Sequence, residues 1–462
     1  MGGGAFDART KKWHLGISVY FLDSRAGVAW HIYDILSPGH VLTIYCWDST
    51  FKDILKKYYP AYNPDTEMIG DVEVHWVILP NDNNVYQRNL DKALFDSDKF
   101  NSNDNVDMFL VEADYVRKYT DNDYVAMDME SLGIDEAELS GQFAYTRQLA
   151  RDGNGHIRGI TWQATPGVMI YRRDIARQVL GTDKPEEVQG YVRDWHAFNQ
   201  TAARMKQVEV AMLAGYLDTY RVFWSGVEKP WLTADSFLMV DENMKKWLAQ
   251  TAEFTSKGYN YPYRLWSDGW QNQVRLNTFC YFGPSWLMQY VLAEQAKDDE
   301  KAGSNTYGKW AACRGPEAFY WGGTWICAAR HTDNQELVAD IMRTICLNPE
   351  VLDRMARQGP EFVNDVQVMQ SLAKDASYGM DFLAGQNPVE IMLKGAAEIK
   401  VGQVSPYDQG IHESFQGSAR AYFDGRVSRE EAWQMFLAAV WHAYPELQST
   451  VFSYEADGRD GS

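Results

Sequence analysis

From Val41 onward, apolar and polar positions fall into blocks that assign successive elements. "VLTIYCWD" reads as a buried strand, and "STFKDILKKYYPAYNP" as a helix with Ser49 at its N-cap that stops before prolines. "VEVHWVILP" (Val72 to Pro80) predicts a second strand, "NVYQRNLDKAL" a second helix, and "VDMFLVEADYVRKY" a third strand running into a helix. Strands that alternate with helices predict a parallel sheet flanked by helices, with ligands gathering at the carboxyl ends of the strands. Those ends are Trp47 with Asp48, and Glu112 with Ala113 and Asp114.

A polar, glycine-bearing stretch, "RDGNGHIRG", precedes "ITWQATPGVMIYRRDIARQVLG". Here a strand meets a Pro-Gly break, a second strand follows, and a helix begins near Asp174 and closes at Gly181. A chain crossing is expected near this point. Helical patterns follow in "EEVQGYVRDWHAFNQTAARMKQ", then an aromatic loop, "AGYLDTYRVFWSG". "FCYFGPSWLMQYVLAEQAK" is a strand, a Gly-Pro turn and a helix opening near Ser285; "KWAACRGPEAFYWGGTWICAARHTDNQELVADIMRTI" is two strands and a helix introduced by Thr332, Asp333 or Asn334. The tail is helical in two parts, with Ser428 and Glu431 offering a capping box. Neither a repeat nor a low-complexity segment is present.

Length and charge narrow the function. At 462 residues the chain fits two or three lobes, and a net charge of −19 opposes a nucleic-acid partner, which requires Lys and Arg against phosphates. An acidic binder of neutral or cationic solutes is easier to support. Seventeen Trp and twenty-seven Tyr suit a carbohydrate groove, although most such rings belong to the core. The five cysteines lack CxxC or Cys/His metal spacing and read as buried free thiols, with one long-range disulfide left open. No apolar run of about eighteen residues predicts a membrane-spanning helix. Residues 1–40 carry polar breaks at Asp23, Arg25, His31 and Asp34 that rule out a signal-peptide core; they read as a vector-derived leader or a remodelled N-terminus.

Together, "LTIYCWD", the crossing segment, "FGPSWLMQY", "WGGTWICAARHTDNQELVADIM" and "YDQGIHESFQGSARAYFDGRVSREEAW" resemble the extracellular sugar-binding proteins of ABC transporters, of the maltodextrin-binding type. Order and spacing carry the resemblance, from Val41 to about Leu447, rather than any single motif. It implies a type II periplasmic-binding-protein fold: two α/β lobes, each a mainly parallel sheet flanked by helices, with the ligand cleft between them. Lobe one would hold residues 41–155 and 319–380, and lobe two residues 156–318 and 381–447, leaving 448–462 as a tail. It further implies an oligosaccharide ligand, ABC transporter permease subunits as partners, no cofactor, no enzymatic activity, a monomer, and an extracellular, cell-surface location. The acylated cysteine that tethers lipoprotein members is missing, because Cys46 lies inside the first strand.

Sugars present apolar C–H faces and a ring of hydroxyls, so a site needs flat aromatics together with carboxylates or amides. Trp47 and Asp48 end the first strand, where the family places a polar contact; Asp48 serves equally well as a helix N-cap. Glu112 and Asp114 are ligand candidates or members of a surface turn. Trp286 falls where the family puts a stacking aromatic, and could instead start a helix in the core. Tyr216, Asp218, Tyr220 and Trp224 crowd one loop, of the kind that lines clefts more often than cores. Trp162 and Gln163 face hinge or cleft, Asp408 and Gln409 precede a helix that Asp408 could cap, and Trp266 and Trp270 flank an Asp-Gly turn as weaker, partly exposed candidates. In "AFYWGGTWICAA" the resemblance makes "TWICAA" a strand re-entering lobe one, so Trp325 is expected in the core. Trp321, beside Gly322 and Gly323 at the crossing, is expected in the cleft.

Two other functions compete. A glycoside hydrolase also needs aromatics and paired carboxylates, but nothing singles out such a pair. A receptor for a cationic solute, such as a polyamine or peptide, is permitted by the acidity.

Overall fold

The structure, a computed structural model, describes residues 40–95, 105–233, 237–297, 305–359, 361–402 and 404–453. The leader through residue 39, and the tail from residue 454, lie outside the described residues. Among the described residues no helix is long and apolar enough to cross a membrane, and no group of His, Cys, Asp and Glu could hold a metal ion.

Among the described residues the first sheet has seven strands. Val41–Cys46 lies at its centre, parallel to Val72–Ile78 on one side and to Met108–Glu112 on the other. Their consecutive apolar residues are what a strand covered on both faces requires, and Leu42, Ile44, Phe109 and Val111 are all buried. Thr324–Ala328 then pairs antiparallel with Met108–Glu112, and Ile160–Thr161 pairs antiparallel with Thr324–Ala328. Thr324–Ala328 enters the sheet from a crossing and Ile160–Thr161 leads out of it into one, so neither needs a helical crossover within the sheet.

The second sheet departs from the expected parallel arrangement. Val168–Arg172 is flanked by Cys280–Gly283 and Trp310–Cys313, both antiparallel to it. Alternation still sets its packing: Val168 and Ile170 join one buried cluster, Met169 and Tyr171 another. A third cluster, rich in Trp, Tyr and Phe, is built by the helices Tyr220–Ser225, Glu242–Lys257, Asp408–Phe423 and Arg429–Ala443. The helix starting after Ser428 carries the expected capping box, and Gly181 closes the helix Arg173–Leu180 with φ +78°.

Chain segments at residues 164–167 and 319–321 cross between the lobes side by side, and Phe362 packs alongside them. Gly167 N–H donates to Phe319 O at 2.7 Å, Trp321 N–H to Thr165 O at 3.2 Å, and Ala164 N–H to Phe362 O at 2.9 Å. A methyl group on Gly167 would fall 2.1 Å from the Phe319 ring, so the close approach of two crossings requires glycine there. The five cysteines are buried and unpaired. Burial pushes the Cys46 and Cys313 thiols up to about 12, which keeps them protonated and unreactive.

Candidate binding cleft between the lobes

Asp48 and Glu112 reach the same space for a topological reason: they follow or end neighbouring parallel strands, so both emerge at one edge of the first sheet. Thr324 pairs with Glu112 across the sheet, which brings Gly322 and Gly323 beside the Glu112 side chain. Gly322 has φ +74°, and a methyl group added there would lie 3.5 Å from Trp286 Nε1 and 3.7 Å from Glu112 Oε1. Glycine at this position lets the crossing segment pass between a tryptophan and a carboxylate without filling the gap.

The gap is a cavity of about 390 Å³, walled by Asp48, Glu112, Trp162, Trp286, Tyr290 and Glu361, with Trp47 beside Asp48. This volume falls within the range of small-molecule sites. The Glu112 carboxyl is raised above the usual value, first by burial and then by the neighbouring Asp114, with Arg221 opposing both. Burial also pushes Glu361 up to about 7, against weak hydrogen bonds from Tyr290 and Gln163. The site therefore holds carboxyls that approach neutrality near pH 7 and can both donate to and accept from hydroxyl groups.

At the cleft mouth Trp266, Trp286 and Trp321 touch pairwise, with centroids 6.1, 5.5 and 5.2 Å apart. Trp286 Nε1 donates to Trp321 O at 3.2 Å, and the Arg221 guanidinium lies 6.0 Å from the Trp321 ring centroid. Trp266 is 44% exposed and adopts φ +68°, an outlier for a bulky residue and the kind of local strain that gathers at functional sites. Trp286 opens a stretch of π-helix, Leu287–Leu292, that carries Tyr290 into the cavity.

The sequence candidates divide. Trp47, Asp48, Glu112, Trp162 and Trp286 line the cavity. Asp48 also accepts the Thr50 N–H at 2.8 Å, so capping and cavity roles coexist in one side chain. Trp162 is 1% exposed and stacks on Phe51 with centroids 5.7 Å apart, so it borders the cavity as a nearly buried ring. Trp321 is half-buried and contributes through Trp286 and Trp266, while Trp325 is buried and donates to Thr146 O, as a core residue does.

Asp114 is not a free acceptor, because it forms a two-pronged ion pair with Arg221. Tyr216, Asp218, Tyr220 and Trp224 move from cleft to interior. The segment read as a loop holds the short strand Leu213–Gly215 and the helix Tyr220–Ser225, so its rings acquire packing partners. Asp218 is 8% exposed and accepts from Ala214 N, Gly215 N and Trp270 Nε1, which leaves no room for a sugar hydroxyl. Tyr216 bonds Asp424, Tyr220 bonds His412, and Trp224 stacks on Trp231. Trp270, expected partly exposed, is buried against Tyr281.

Asp408 is 3% exposed and accepts from Ser405 N and Ser405 Oγ, an N-terminal turn rather than a cleft group. Gln409 donates to Asn84 Oδ1 at 3.2 Å, tying the helix Asp408–Phe423 to a turn of the first lobe.

Sequence reading missed Tyr290, Glu361 and Arg221. Tyr290 had a signal, standing four residues after Trp286 and so on the same helix face. Glu361 and Arg221 had none, since both reach the cleft through tertiary packing.

The profile of the family described as "Bacterial extracellular solute-binding protein" matches residues 82–364. Among solved structures, one titled "Crystal structure of Extracellular solute-binding protein family 1" superposes with a TM-score of 0.74 at 19% identity, covering 87% of this chain and 99% of that one. The ABC transporter associated binding protein from B. animalis subsp. lactis Bl-04, in complex with beta-1,6-galactobiose, gives 0.65 at 14% identity over 90% and 100%. The galacto-N-biose-/lacto-N-biose I-binding protein of the ABC transporter from Bifidobacterium longum, in complex with lacto-N-biose, gives 0.65 at 11% over 90% and 99%. Comparison with curated protein sequences gives no match. Two lobes, side-by-side crossings, a cavity between them and a family match over more than half its length lead to one conclusion: this chain belongs to the bacterial extracellular solute-binding proteins.

Proposed function

We propose that this protein captures an oligosaccharide between its lobes and delivers it to the permease of an ABC transporter, acting as a monomer at the cell surface. The observation that carries the reading is the cavity wall, where Trp47, Trp286 and Tyr290 offer aromatic surface while Asp48, Glu112 and Glu361 offer carboxyls. Flat rings suit sugar C–H faces, and carboxyls orient hydroxyls. The sugars named for the two transporter-associated structures of similar fold support the same class. The lobes would divide near the crossings, close to the bounds expected from the sequence, except that Ile160–Thr161 stays with the first sheet.

A cationic solute fits less well. Raised Glu112 and Glu361 carboxyls lose charge near neutrality, and Arg221 already neutralises Asp114. Hydrolysis is disfavoured by the family, whose described role is solute binding. Calorimetric titration against soluble oligosaccharides tests the proposal. Heat with a dissociation constant near micromolar, about −8 kcal/mol, is expected; the absence of heat with every glycan class refutes it.

A further inference from the structure

Apart from the crossing segments, the two lobes touch directly at the edge of the binding cavity. Arg221, on the second-lobe helix Tyr220–Ser225, reaches across to Asp114 of the first lobe and donates to both of its carboxylate oxygens. Beside this pair the helix Asp408–Phe423 packs against the turn Ala113–Tyr115, and Gln409 donates to Asn84 Oδ1 at 3.2 Å. The Arg221 guanidinium also lies 6.0 Å from the ring centroid of Trp321, on a crossing. All of these contacts run from protein to protein.

Charge is distributed unevenly across this junction. Glu112 and Asp114 both belong to the first lobe, and Arg221, from the second, is the cation that acts on both. The other ionisable groups nearby supply no substitute: burial lowers His412 to about 3 and keeps it neutral, Asp408 is itself a carboxyl, and Arg117 pairs with Asp121 at 3.2 Å. Taking the guanidinium away would leave two neighbouring carboxyls shielded from water with no counter-charge, a state that opening the cleft relieves by hydrating both. Taking the Asp114 charge away is milder, because Glu112 can ionise and face Arg221 instead.

We infer that Arg221 and Asp114 form an interlobe latch that holds the cleft closed before any solute enters, so that release of the latch is the step that admits solute. Closure driven by a ligand requires contacts that only the ligand supplies, whereas a pair made by the protein alone favours the closed form with or without one. Arg221 is then a positioning residue: it sets the balance between open and closed lobes without touching the solute. The inference depends on the two lobes and not on which solute lies between them.

The test is the distance between two spin labels in the full chain, with no solute added, attached at Asn89→Cys on the helix Val85–Phe95 and Gly417→Cys on the helix Asp408–Phe423. Both positions are exposed and the native thiols are buried, so labelling is confined to the introduced sites. With the latch intact a single short-distance population is expected. Arg221→Ala should lower the ratio of closed to open about 10-fold or more and bring in a longer distance, and Asp114→Asn should shift it less. Arg221→Gln, which keeps much of the side chain's length without its charge, carries the same expectation if Arg221→Ala fails to fold. Exchanging the partners, Asp114→Arg with Arg221→Asp, should restore the short distance. Trp325→Phe, a change in the first-sheet core, should lower the melting temperature without altering the distance. A long distance with the latch intact, or a short one that survives in folded Arg221→Ala or Arg221→Gln, overturns the inference. Neither result bears on the carbohydrate reading, which stands or falls on the glycan titrations.

Discussion

Arg221 and Asp114 form a two-pronged ion pair that bridges the lobes at the edge of the binding cavity, with side chains 20% and 22% exposed. Burial alone would raise the Asp114 carboxyl, and the guanidinium outweighs it, holding Asp114 below the usual aspartate range. A half-buried pair falls between surface and core cases, so Arg221→Ala should cost about 2 kcal/mol of stability. Because the native carboxyl is lowered, its contribution is present above the unfolded pKa and disappears as pH falls through the native one. The melting-temperature gap between wild type and Asp114→Asn should hold above about pH 4.5 and shrink below about pH 4. A gap that is independent of pH would contradict the pairing.

Several other carboxyls shift the opposite way. Burial pushes Asp408 and Glu361 up to about 7, and Asp218 and Asp107 to about 6, partly opposed by their hydrogen bonds. Between the unfolded and native values the folded chain holds more protons, so stability should fall as pH rises from about 4.5 to 7. Thermal melts across that range check the slope. Asp408→Asn should flatten it, since its side chain cannot ionise; an unchanged slope would exclude Asp408 as a source.

Trp286 and Trp325 separate binding from folding. Trp325 is 1% exposed within the first sheet, so Trp325→Ala should destabilise by about 3–5 kcal/mol. Trp286 is half-buried on the cavity wall, and Trp286→Ala should lower oligosaccharide affinity at least about 10-fold with a melting shift of only a few degrees. Paired melts and titrations read both. Equal effects of the two substitutions on either readout would erase the distinction.

Gly322 is predicted to tolerate no side chain. Gly322→Ala would hold alanine at φ +74° and place its methyl group between Trp286 and Glu112. Strain of about 1 kcal/mol or more and a weakened ligand are expected, measured by denaturant unfolding and titration. Wild-type values in both would mean that the crossing segment is looser than its geometry.

Much of the fold was legible in the chain. Strand and helix positions through the first sheet followed from block patterning, and the capping box at Ser428 and the helix closure at Gly181 were local signals that tertiary packing did not override. Strand direction in the second sheet was not legible, because "VMIYR", "CYFG" and "WAAC" are buried on both faces whether parallel or antiparallel. For the site, Trp47, Asp48, Glu112 and Trp286 were readable from strand ends and a Gly-Pro turn. The aromatic stretch around Tyr220 misled, because the partners that bury it, His412, Phe415 and Phe423, are about two hundred residues away.

Parallel calorimetric titrations of wild type and Trp286→Ala with one set of soluble oligosaccharides probe the cleft most directly. Binding of at least one glycan by wild type near micromolar, and its loss or weakening by about 10-fold or more in the variant, is the predicted result. Heat with none of the glycans, or equal affinity in both proteins, would contradict an oligosaccharide held between the lobes at Trp286.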